Sequence, residues 1–207
     1  MKFFPIICFV LASFAYGQDL KIAPKGQKLK DTYLAMNVEN LWIAGTHIDW
    51  ETGLADEPGA THGIRTHCSA FVAAACEKLG IYVLRPPQHG QVLLANAQEK
   101  WLNSADAVAA GWVKINIDSN AYEKIQKLAN EGKVVVAVSR NPDPKKPGHA
   151  ALVMPTDCSE ALLNAEGPEM IMAGEHNHNQ IPLIKAFKSH IHTWPSQEVE
   201  FFMHELP

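Results

Sequence analysis

The sequence predicts an α+β domain with a mainly antiparallel sheet, on three observations. Helical periodicity prevails up to residue 130, consecutive short strands follow it, and no shift in composition or linker divides the chain. At 207 residues with 47% hydrophobic side chains, there is ample apolar material for one packed core. The balance of 18 Lys+Arg against 22 Asp+Glu gives a formal charge of −4, and no basic cluster is denser than Lys145-Lys146. A polyanion finds no electrostatic footprint, so no nucleic-acid partner is expected.

Taken in order, residues 1–17 read as a signal peptide: Lys2, an apolar run from Phe3 to Phe14, then the small-x-small triplet Ala15-Tyr16-Gly17. The run is too short to cross a bilayer of about 30 Å. A secreted or periplasmic protein is therefore expected, without stable membrane insertion, whose single domain spans 18–207. Leu29, Tyr33, Met36 and Leu41 mark a helix within 28–42. Residues 45–67 are polar and broken by Gly45, Gly53, Pro58, Gly59 and Gly63, the signature of a long loop. Phe71, Val72, Ala75, Cys76 and Leu79 then form one stripe of a helix over 68–79, closed by Gly80.

Pro86-Pro87 interrupts the chain before a second helical segment, 92–102. A short strand is expected at 112–117, and a helix at 121–130 with Tyr122, Ile125 and Leu128 inward and Gly132 after it. The β-branched run 133–139 and the segments 149–154, 169–173 and 199–203 read as strands, 141–148 as a Pro-rich loop and 184–190 as a helix.

Cys8 leaves with the signal, so Cys68, Cys76 and Cys158 remain, and an odd number leaves one thiol unpaired. Cys68 opens the strongest helix. A helix N-terminus carries unsatisfied N–H groups and about half a positive charge, which lowers a cysteine pKa and favours the thiolate. A thiolate nucleophile needs an imidazole to take and return a proton, and His149, the one polar residue opening an apolar strand, is the strongest candidate among ten histidines. The third group, which orients the imidazole, is expected after the strand 169–173, where Glu175, His176 and Asn177 all qualify. The long loop runs into Cys68 and should wall the cleft, with Asp49 and Trp50 as substrate-binding residues.

The pieces Cys68-Ser69-Ala70-Phe71-Val72, Gly148-His149-Ala150-Ala151-Leu152-Val153 and Ala173-Gly174-Glu175-His176-Asn177, followed by Ala186-Phe187, resemble the NlpC and CHAP-type amidases of the papain-like superfamily. The resemblance covers about half of the chain after the signal. It implies a papain-like core, a cysteine amidase or endopeptidase acting on peptidoglycan peptides, and no cofactor. Relatives often carry Asn four residues after the Ala of such an Ala-Gly pair, which points to Asn177 as third member beside Cys68 and His149.

Two other readings compete. His47, His62, His67, His176 and His178, with Glu175, invite a metal, although neither HExxH nor a CxxC pair is present, and no metal is expected. Five tryptophans would also suit a wall-binding module that does not turn over, although in a domain of this size they more often build core.

Overall fold

The computed structural model describes residues 20–57 and 66–207; the expected signal peptide and the middle of the long loop, His62 included, lie outside the described residues. The described residues form a mixed α/β fold around a six-stranded antiparallel sheet in the order β1-β6-β2-β3-β4-β5. In chain order the elements are α1 (Pro24–Leu34), α2 (Cys68–Lys78), α3 (Leu94–Leu102), α4 (Ala105–Ala109), β1 (Val113–Ile115), α5 (Ala121–Asn130), β2 (Val134–Ser139) and β3 (His149–Val153). After them come α6 (Glu160–Glu166), β4 (Glu169–Met172), β5 (His178–Pro182), α7 (Leu183–Ala186) and β6 (Glu200–His204).

The sheet is covered on both faces, which explains the unbroken apolar run of β2. Val134, Val136 and Val138 face α2 together with Ala150 and Leu152 of β3, whereas Val135, Ala137, Ala151 and Val153 face the other way. That second face is closed by Tyr122, Ile125 and Ala129 of α5 and by Leu183 and Phe187 at α7. All six residues of β2 are buried. The register pairs Ser139 with His149, so the start of β3 lies beside the end of β2.

Where the elements differ from expectation, local chemistry accounts for it. The first helix stops at Leu34 because the chain turns through positive φ at Asn37 and Trp42, which delivers the Trp42 ring to the core against Phe71. The helix expected over 184–190 ends at Ala186, and Phe187 turns inward. Strand β5 lacks an apolar signal because it is an edge strand of partly exposed polar residues, and its terminal Pro182 is tolerated there. Helix α6 is short and mostly exposed, but Ser159 caps it by accepting from the Leu162 N–H.

Among the described residues, no helix is long and apolar enough to cross a membrane.

Candidate functional site

Cys68 is the first residue of α2, reached directly from the long loop. The lead-in is pinned: His67 is buried, and its Nε2–H donates to the Thr46 carbonyl at 2.9 Å. The first turn is pinned too. Gln98, wholly buried on α3, donates from Nε2 to the carbonyls of Ser69 (3.1 Å) and Leu84 (3.0 Å). A cavity of about 640 Å³ opens here, walled by Cys68, by His47, Glu57 and His67 of the long loop, by Val92 before α3, and by Gly148.

Gly148 has a steric duty. A Cβ at that position would collide with the Ser139 carbonyl and the Asn96 side chain, so only glycine lets the chain pass into β3 this close to β2. Asn96 fastens both ends of the Pro-rich loop, accepting from the Asn141 N–H (3.1 Å) and donating to the Lys146 carbonyl (2.9 Å).

Cys68 is 4% exposed. Burial pushes its pKa up, against the opposing pull of the N–H groups of Ala150, Ser69 and Cys68 itself and of the Ser69 hydroxyl. This corrects the expectation of a lowered value: the helix start supplies donors, but loss of water outweighs them. Cys76, a buried free thiol in the middle of α2, is pushed up to about 12 by burial and forms no bridge to Cys158.

His149 is buried, with its Nε2 lacking any hydrogen-bond partner. Its ring meets Phe187 edge-on at 4.6 Å and stacks on His190 at 5.8 Å. Burial, then the neighbouring His190, lowers its pKa to about 3, so the imidazole is neutral. Cys68 and His149 therefore approach the first peptide of β3 from opposite faces of the sheet. The thiol takes the Ala150 N–H, while the ring leaves from the Cα immediately before that nitrogen, on the side of Ala151 and Val153. No hydrogen bond joins the two among the described residues.

Asn177 has a different task from the one expected. Its Nδ2 donates to the carbonyls of Val38 (2.7 Å) and Leu41 (2.8 Å), and its Oδ1 accepts from the Gly174 N–H (2.9 Å). It ties the β4–β5 turn to the segment after α1, and no hydrogen bond joins it to His149 among the described residues. Asn177→Ala should destabilise the domain by about 2–4 kcal/mol, since half-buried carbonyls lose their donors. Thermal unfolding of the variant checks this, and an unchanged midpoint would show that the three bonds carry no weight.

Asp49 and Trp50 are likewise structural. The Asp49 carboxylate accepts from the Thr52 N–H (2.8 Å) and hydroxyl (2.7 Å), which holds its pKa down. The Trp50 carbonyl accepts from the Trp42 indole N–H at 3.0 Å. Neither residue lines the cavity; the loop contributes His47 and Glu57 instead, and Asp56 is paired with His47 Nδ1. Glu175, His176 and His178 belong to no metal-holding group: among the described residues no three His, Cys, Asp or Glu side chains cluster for one.

Sequence reasoning missed Gln98, Asn96 and His190. Gln98 had a signal, because Leu94, Ala95, Gln98 and Leu102 form the buried stripe of α3 and a glutamine in such a stripe needs partners. Comparison of the chain with protein-family models, with curated proteins and with solved structures matched none of them.

Proposed function

We propose that the protein is an exported cysteine hydrolase, an amidase or endopeptidase of papain-like arrangement, that cleaves amide bonds in peptidoglycan stem peptides. One observation carries the reading. A thiol at a helix N-terminus lies on the wall of a cavity large enough for a short peptide and accepts the N–H of the residue that follows a histidine.

In this reading Cys68 Sγ attacks the scissile carbonyl while His149, on the other side of the β3 peptide, takes the thiol proton through one water at the start of that strand. Catalytic hydrogen bonds of a free enzyme are often long and tighten only when substrate is bound. Both groups rest uncharged, since burial raises the thiol and lowers the imidazole. Proton transfer therefore accompanies attack rather than preceding it. The N–H groups of the first turn of α2 face the developing oxyanion. His149 then returns the proton to the leaving amine, and water hydrolyses the thioester, releasing the acid and the free thiol.

Incubating the purified protein with defined muropeptides and weighing the fragments tests the reading. Products differing by one hydrolysed amide bond support it, and intact muropeptides at every pH from 5 to 9 overturn it. The buried, uncharged thiol favours one other reading, a module that binds wall peptides without turnover. That reading requires saturable binding of muropeptides with no fragment released.

A further inference from the structure

We propose that His190 is a positioning residue for His149, holding the base in its buried seat and keeping it uncharged. The inference rests on His149 as the base. Three contacts carry it. The two imidazoles stack at 5.8 Å with 23° between their planes. The His190 ring also donates to the Pro147 carbonyl, two residues before His149 and on the wall of the Cys68 cavity. The Ser189 hydroxyl lies 3.1 Å from His190 Nδ1, which leaves the other ring nitrogen to serve Pro147.

One half-buried ring thus grips both the imidazole and the strand lead-in that carries it. Asn177 does not supply this grip: its Oδ1 accepts from Gly174, its Nδ2 donates to Val38 and Leu41, and no hydrogen bond joins it to His149 among the described residues. Phe187 closes the seat edge-on but offers no polar atom.

The charges around the seat support the second half of the proposal. From the segment after α7, His190 faces His149; from β2, the uncharged Ser139 is its register partner; from the β4–β5 turn, Gly174 lies nearby; from α2, the Cys68 thiol takes the next N–H. Among the described residues no carboxylate acts on the ring. Behind His190 stands His192, whose Nδ1 pairs with Glu198 at 3.1 Å. His190 is the more exposed of the stacked pair and accepts the first proton in acid. Two stacked imidazoles do not both ionise easily, so His190 postpones protonation of His149 and keeps it competent as a base at lower pH.

The test uses His190→Gln, which retains an N–H donor for Pro147 but removes the second titrating ring. Imidazole ¹⁵N shifts of the full chain, followed through acid titration, should show the His149 midpoint rising by about one unit in the variant. The acid limb of kcat should move upward by the same amount with KM within twofold. A folded His190→Gln protein with an unchanged His149 midpoint overturns the proposal. If the glutamine variant fails to fold, His190→Phe preserves a stacked ring without the charge and should show the same shift. Failure of the underlying reading is seen separately, as wild-type turnover in His149→Ala, and the midpoint still decides whether the rings are coupled.

Discussion

Cys68→Ala yields a folded protein that releases no fragment from muropeptides, with turnover down by at least about 10³-fold, because no other described nucleophile stands in its place. Ser69 lies next to it in the first turn, with its hydroxyl turned to the Cys68 sulfur. The substitution removes one buried sulfur from a side chain whose Cβ remains, so its cost to stability is about 1–2 kcal/mol, small beside that of a large core deletion. Circular dichroism and thermal unfolding check the fold, and fragment masses check the chemistry. Hydrolysis persisting in the folded alanine variant would end the cysteine mechanism. Cys68→Ser should also be nearly inactive, since an un-ionised hydroxyl is a far weaker nucleophile than a thiol.

Elements whose burial follows one period were legible in the sequence. Helix α5 occupies 121–130 as the spacing of Tyr122, Ile125 and Leu128 requires, although Ala129 is buried in its last turn and Leu128 only partly, and α2 begins at Cys68, where the polar loop gives way to an apolar stripe. β2 and β3 were legible because strands covered on both faces read as continuous apolar runs. The edge strand β5 was not, since half-exposed backbone imposes no apolar pattern on its side chains.

The site divided along the same line. Placing Cys68 and His149 at element starts needed only local signals, and the structure brings the thiol to the peptide that follows His149. Which face the imidazole occupies depends on strand parity relative to α2, a tertiary property. Residues in a strand alternate, so His149 goes with Ala151 and Val153 once Ala150 and Leu152 are committed to α2. The roles of Asn177 and Asp49 were illegible for a related reason. An amide or carboxylate near a cleft reads the same in sequence whether it meets a ligand or backbone, and here both meet backbone. Likewise, the helix start announced a lowered thiol pKa, but the depth of the thiol, invisible in sequence, reversed the sign.

His149→Ala should reduce kcat/KM by about 10²–10⁴-fold, the usual range for loss of a positioned general base. The thiol is itself held above its ordinary pKa by burial, so without an imidazole to accept its proton it stays protonated across the neutral range. The pH profile gives the sign. His149 is neutral above about 3, so wild-type activity should persist into mild acid, where an enzyme relying on a preformed thiolate with a raised pKa would already be silent. The residual activity of His149→Ala should instead rise steadily with pH, following direct ionisation of Cys68. Adding imidazole to the buffer should restore part of the lost rate in the alanine variant and leave the wild type unaffected. A variant that keeps the wild-type rate and a flat profile in acid would remove His149 from the mechanism. The base would then have to come from the cavity wall itself, where His47 is the imidazole paired with a carboxylate, through Asp56.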